Sequence, residues 1–206
     1  MGFYERRILP RLIDLGMRQK QLAALRERVV GAAQGQVLEV GVGSGRNLPF
    51  YRRDVESVLG VDPSEELLAM ARPRTAWTHF PVQLRKAAAE ELPVDDRAID
   101  SVVMTWTLCS VADPVRALSE IRRVLRPGGS LLFVEHGRAP EPRLQRWQDR
   151  LTPVWRRLAG GCHLNRPIDR LIEQSGLRLT GLEMGYLVAG PHPWTFHYRG
   201  RAALRP

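Results

Sequence analysis

The chain has 206 residues, 44% of them hydrophobic and 26% charged, which is enough for one domain with a proper core and too little for two independent ones. No apolar run nears the roughly 20 residues a membrane helix needs, and no charged-then-apolar leader opens the sequence, so a soluble cytoplasmic protein is expected. The net charge of +9 is uneven: residues 1–30 carry seven basic against three acidic side chains, 31–137 carry 12 against 14, and 138–206 carry 12 against five, so flanks of +4 and +7 enclose a middle of −2.

From Phe3 to Val30, Tyr4, Ile8, Leu9, Leu12, Ile13 and Leu15 recur near helical spacing with Arg6, Arg7 and Arg11 between them, predicting a helical stretch interrupted near Gly16. From Gln36 onward short β-type runs alternate with helical ones, the pattern of a parallel sheet with crossover helices. Strands are expected at Gln36–Gly41, Ser57–Asp62, Val82–Lys86, Ile99–Thr105 and Ser130–His136. Helices are expected near Asn47–Arg53, Ser64–Arg72 and Pro114–Leu125, the first two opened by polar caps. Pro127-Gly128-Gly129 reads as a turn that continues neither neighbour. An Arg- and Trp-rich stretch follows from Pro140 to Leu158, then a short helix from Pro167 to Ser175, and two β-type segments, Leu177–Tyr186 and Trp194–Ala202, finish the sheet.

The strongest local signal is Val37-Leu38-Glu39-Val40-Gly41-Val42-Gly43-Ser44-Gly45, an apolar strand entering a glycine-rich turn where the backbone can approach a ligand closely. Asp62 ends the next strand, placed to accept hydrogen bonds from two ribose hydroxyls. A dinucleotide fingerprint would need glycine at position 46, which is Arg46. Glu39, just before the first glycine, suits a cationic, sulfonium-bearing ligand better than a diphosphate.

E-x-G-x-G-x-G, then V-D-P-S, A-E-E-L-P, D-S-V-V and R-V-L-R-P-G-G-S-L-L-F-V-E-H, over residues 36–137, resemble the ordered motifs of class I S-adenosylmethionine (SAM) dependent methyltransferases. The resemblance implies an α/β, Rossmann-like fold: a mostly parallel seven-stranded sheet, helices on both faces and an antiparallel last strand. It implies one domain over residues 1–206, with an N-terminal helical cap (1–31), a SAM-binding core (36–137) and a C-terminal substrate cap with the final strands (138–206). It further implies S-adenosyl-L-methionine as cofactor, Gly41 and Gly43 beneath its methionine part, Asp62 on the ribose and Pro63 beside the adenine. Ala88, Ala89 and Glu90 fall at the adenine edge and Thr105 near the methionine end, with Glu39 and Asn47 completing the set. Many relatives place Asp where this chain has Ala88, so the bond to the adenine amino group must be replaced.

Asn47-Leu48-Pro49-Phe50-Tyr51, Thr107-Leu108-Cys109-Ser110-Val111, Glu135-His136, Trp147 to Trp155 and Gly161-Cys162-His163-Leu164-Asn165-Arg166 resemble the smaller family that includes the animal alkyl-thiol methyltransferases. That implies a small-molecule acceptor, with a thiol as one class and a phospholipid headgroup amine as the alternative. Methyl transfer is an in-line displacement needing alignment and a nucleophile in its reactive protonation state, so candidate helpers sit past the strand ends. His136 is the first candidate, as a base or an orienting group, against a purely hydrogen-bonded structural role; His163 and Arg166 follow, and Tyr4 is a candidate lid residue. Cys109 reads as a small buried residue, Trp147 and Trp155 as packing for the cap, and His192 and His197 as lacking a metal set. Cys109 and Cys162 have neither metal-site nor C-x-x-C spacing, which speaks for a reducing compartment and no zinc site. The basic flanks raise a nucleic-acid methyltransferase as a further alternative, but they carry no RNA-binding motif, so no nucleic-acid partner is expected, whereas the basic amphipathic N-terminus suits peripheral membrane contact.

Overall fold

The computed structural model describes residues 4–205; Phe3, where the predicted N-terminal helix starts, lies outside them. A π-helical turn, Tyr4–Ile8, leads into α1 (Leu9–Gly16), and α2 (Lys20–Val30) follows after the break predicted near Gly16. The strands are β1 (Gly35–Val40), β2 (Val55–Asp62), β3 (Val82–Lys86), β4 (Ile99–Thr105), β5 (Leu125–His136), β6 (Leu177–Tyr186) and β7 (Phe196–Leu204). Between them lie α3 (Glu65–Thr75), α4 (Pro114–Val124), α5 (Pro142–Leu158), α6 (Ile168–Gln174) and the one-turn α7 (His192–Thr195). No helix among the described residues is long and apolar enough to cross a membrane.

The seven strands form one sheet in the order β3-β2-β1-β4-β5-β7-β6, with β1 to β5 parallel and β7 antiparallel to both its neighbours, as the resemblance implies. The period-2 pleat sorts the apolar residues to two faces. Leu38, Val40, Val102, Met104, Leu131 and Phe133 pack on one side with Leu118 and Ile121 of α4 and Ile168 and Ile172 of α6. Val37, Val103, Leu132 and Val134 pack on the other with Leu25, Val29 and Val30 of α2. Because helices cover both faces, the central strands are mostly apolar, broken by buried polar residues such as Glu39, Ser101, Thr105 and Glu135, and each buried Leu or Val contributes roughly 1.5–3 kcal/mol of transfer free energy.

Three expectations need correcting. The helix expected at Asn47–Arg53 is only a 3-10 turn, Leu48–Phe50: the Asn47 side chain is used elsewhere instead of as a cap, and the backbone is already extended at Tyr51. Pro127-Gly128-Gly129 lies inside β5 instead of before it: β5 pairs with β4 through Leu125, then again from Ser130, and residues 126–129 bulge out. The last strand starts at Phe196, because Pro191 and Pro193 turn His192–Thr195 into a helical turn. Ser64 does cap α3, its hydroxyl accepting from the Leu67 amide, and Asp113 caps α4 by accepting from the Val115 and Arg116 amides.

Candidate active site

The strand order reverses between β1 and β4, opening a crevice at their carboxyl ends where ligands of doubly wound sheets bind. The glycine-rich turn forms its floor. Gly41, Gly43 and Gly45 all have positive φ, at +77°, +54° and +78°, but the space beside them differs. A Cβ on Gly41 would lie 2.1 Å from Thr107 Oγ1, and one on Gly45 would meet Ala71 and Leu48 at 3.1 Å, so those two glycines serve internal packing. At Gly43 the nearest atom lies 4.0 Å away, so this glycine alone of the three leaves its backbone face open to a ligand.

Two buried carboxylates stand beside that opening. Asp62, at the end of β2, accepts from the amides of Gly43 and Ser64, each at 2.9 Å, and its remaining lone pairs are free of these bonds. Burial raises its pKa. Glu39 accepts from Asn47 Nδ2 at 2.9 Å and from the Tyr51 hydroxyl at 2.7 Å, while the same Asn47 nitrogen donates to Thr105 Oγ1 at 3.0 Å. Burial pushes Glu39 up to about 7, against the pull of those two donors, and burial beside Glu39 pushes the Tyr51 phenol well up. Asn47 Oδ1 is buried with no hydrogen-bond partner in the protein, an acceptor that needs a donor from a ligand. An open glycine face, an orphaned buried acceptor and a desolvated carboxylate together fit a ligand with a cationic amino-acid end and a sugar.

The predicted adenine side is looser. Pro63 and Ala88 are exposed and Ala89 is buried. Glu90 is committed to structure: its carboxylate accepts from the Asp113 amide at 3.0 Å, and its carbonyl accepts from Arg116.

The floor is gripped by a helix whose sequence gave no sign of it. Asp14 of α1 is 1% exposed and accepts from Ser44 Oγ at 2.6 Å, from Arg46 Nε at 2.8 Å and from Arg18 at 2.8 Å. Burial opposes ionisation there, but these donors, Arg46 foremost, hold the carboxyl well below its usual range. Arg74 of α3 also donates to the Ser44 carbonyl. On α2, Arg26 lies over the Trp106 ring at 4.8 Å, and Trp106 itself holds a positive φ of 50° at the end of β4, the kind of backbone strain that gathers at working sites.

Past the ends of β4 and β5 a second polar cluster forms. Glu135, fully buried, accepts from the amides of Thr107, Leu108 and Cys109, clamping the loop after β4; burial pushes its carboxyl up. Arg166 ties the same loop through the carbonyls of Leu108 and Val111. His136 Nε2 lies 2.7 Å from Cys162 Sγ, which is 3.9 Å from Cys109 Sγ. The hydrogen bond with Cys162, then the charge of His136, draw the Cys109 thiol down, while Cys162 is pushed up. His163 faces the Cys109 carbonyl at 3.2 Å, and burial lowers its pKa. The Tyr4 hydroxyl donates to the Leu158 carbonyl at 2.7 Å, tethering the N-terminus to the end of α5. Trp155 packs edge-on against Trp194, Trp147 is half exposed, His192 stacks on Tyr186, and His197 bonds the Thr195 carbonyl.

The structure also brings to the candidate site Asp14, Arg26 and Trp106, which no quoted motif contained, and Tyr51 and Cys162, which lay inside quoted motifs without an assigned role. Their common signal is chemical: a lone carboxylate on an otherwise basic helix and a cysteine between glycines and a histidine.

The family described as "Methyltransferase domain" matches residues 38–133. The thiol S-methyltransferase TMT1B of Rattus norvegicus is 33% identical over 165 residues, covering 76% of this chain and 67% of that protein. The phosphatidylethanolamine N-methyltransferase of Cereibacter sphaeroides is 43% identical over 109 residues, covering 52% of this chain and 53% of that protein. A crystal structure of a SAM-dependent methyltransferase from Thermotoga maritima superposes with a TM-score of 0.69 at 24% identity, covering 97% of this chain and 99% of that one.

Proposed function

Since the chain belongs to the SAM-dependent methyltransferases, we propose that it methylates a small, soft, fairly apolar acceptor, a thiol above all, at the carboxyl ends of β4 and β5. The bound cofactor supplies an electrophilic methyl group on a sulfonium centre. Gly43 would offer its open backbone face, Asp62 would accept from the ribose hydroxyls, and the Asn47 Oδ1 and Glu39 pair would take the cationic amino-acid end. Thr105 would keep Asn47 turned toward Glu39.

The observation that carries the acceptor reading is the polar cluster in which His136 at the end of β5 and His163 and Arg166 before α6 meet Cys109 of the loop that Glu135 holds. Its imidazoles and buried guanidinium favour a thiolate over a thiol. His136 or His163 would act by orienting the acceptor or holding its departing proton. The likeness to thiol S-methyltransferases over 76% of the chain supports the same choice.

A second reading, a phospholipid headgroup amine as acceptor, draws on exposed Ile8, Leu12 and Leu15 of the N-terminal helical region and Val154 and Leu158 of α5, which stand among Arg7, Arg11, Arg156 and Arg157. One experiment separates the two: incubation with SAM and either a panel of alkanethiols or phosphatidylethanolamine vesicles, reading S-adenosylhomocysteine release and the methylated product. S-methyl product from the thiols alone is expected. Turnover of the vesicles with none of the thiols would replace the first reading by the second.

A further inference from the structure

Three chain segments far apart in sequence deliver sulfur and nitrogen atoms to one point. Cys109 Sγ, His136 Nε2 and Cys162 Sγ all lie within 4.8 Å of one another, and no fourth His, Cys, Asp or Glu atom joins them among the described residues. Each segment is fixed by bonds independent of the cluster. The Cys109 amide donates to Glu135, its carbonyl accepts from the His163 amide at 2.8 Å, and the neighbouring carbonyls accept from Arg166. His136 closes the end of β5, paired with His197 of β7. Cys162 follows Gly161, which has a φ of +87° and where a Cβ would lie 3.0 Å from the Ser110 carbonyl oxygen, a place that only glycine fills comfortably.

We propose that Cys109, His136 and Cys162 bind a thiophilic divalent cation of the zinc class, leaving its fourth position to water or another exogenous ligand. Metal–sulfur bonds of about 2.3 Å at a tetrahedral angle put two sulfurs about 3.8 Å apart. Cys109 and Cys162 are already at 3.9 Å. The matching nitrogen–sulfur separation is about 3.6 Å, so His136 Nε2 must draw back from its present 2.7 Å by less than 1 Å.

The rival use of the same two thiols, a disulfide, fits less well. It needs the sulfurs to close from 3.9 Å to about 2.05 Å on two anchored segments, and it gives His136 nothing to do. Charge also agrees: two thiolates neutralise a dication. Three protein ligands with an open fourth position are the pattern of a working zinc centre, not of a closed structural one. The site shares Cys109 and His136 with the cluster proposed above to face the acceptor, but its test reads metal binding instead of turnover, so it fails or stands separately from that reading.

The test is cobalt substitution of the full chain under anaerobic, reducing conditions, with zinc content measured on the protein as purified from zinc-supplemented culture. One metal per chain is expected, with thiolate-to-cobalt charge-transfer absorption in the near ultraviolet. Cys109→Ser and Cys162→Ser should each abolish that absorption and lower zinc affinity at least about 100-fold, the upper end of what losing even an indirect ligand contact costs. The wild-type spectrum requires no variant to fold. Absence of the band while both thiols remain titratable, a Cys109–Cys162 disulfide in the purified chain, or a band that survives in either variant would overturn the proposal.

Discussion

Gly41 and Gly43 share a motif and a left-handed backbone, yet the space around them assigns them opposite duties, and substitution separates the two. Gly41→Ala drives a Cβ into Thr107 from a strained φ and should cost roughly 2–5 kcal/mol of stability, read as a fall in Tm. Gly43→Ala meets no protein atom within van der Waals reach. It should cost only about 1–2 kcal/mol of backbone strain, while SAM affinity falls more than about tenfold. SAM affinity unchanged in Gly43→Ala would mean that the Gly43 face is not a ligand face. Glu39 supplies a pH signature. With its folded pKa raised to about 7 from an ordinary value near 4.5, it is favoured neutral in the folded chain, so its contribution to stability is full below about 4.5 and declines as pH rises toward 7. A cationic ligand prefers the ionised form, so SAM affinity should rise with pH up to about 7, by up to about tenfold per unit, and Glu39→Gln should flatten that profile in calorimetry. The strand-end residues were legible because the glycine turn, Glu39 and Asp62 are local to β1 and β2. Asp14 and Cys162 were not, since their meaning lies in partners at positions 44, 46, 109 and 136 that no local pattern links.

Among the elements, α1 carries the largest departure from its sequence reading. Its basic amphipathic pattern suggested a cap with membrane contact, and it does expose Leu12 and Leu15, but what packs it is unforeseen: Asp14 turns inward and holds Ser44 and Arg46 of the glycine-rich turn. Removing one partner of such a buried ionic network costs about 3–5 kcal/mol, so Asp14→Ala should lower both Tm and SAM affinity, and a variant with unaltered SAM binding would uncouple α1 from the site. Because its folded pKa is depressed, Asp14 stabilises the chain at pH above the ordinary carboxylate range and loses that contribution as pH falls through its folded value. The strands β3 and β4 and the helix α4 follow their sequence signals closely, since strict apolar spacing and a capping Asp or Pro define them. The stretch after Asn47 misled for a reason of the same kind: its polar residue looked like a cap, but the Asn47 amide bridges Glu39 and Thr105 and the helix never extends.

At the scale of the molecule, alternating strand and helix signals conveyed a parallel sheet with crossover helices, whereas the seven-stranded sheet with its antiparallel last strand was implied by the resemblance to class I methyltransferases and is what the chain forms. What pattern alone did not convey is how the parts on either side of the core converge: α1 closes on the turn after β1, and the loop before α6 brings Cys162, His163 and Arg166 onto the loop after β4. Both convergences meet at the carboxyl ends of the strands, so the candidate site is built from residues of the whole chain. The most direct trial is isothermal calorimetry with S-adenosylhomocysteine on the wild type and on Asp62→Ala. One site per chain is expected, weakened about 10- to 100-fold in the variant, as the loss of charge-assisted hydrogen bonds worth about 1.5–3 kcal/mol requires. Equal affinity in both proteins, or no binding to a correctly folded wild type, would contradict the account.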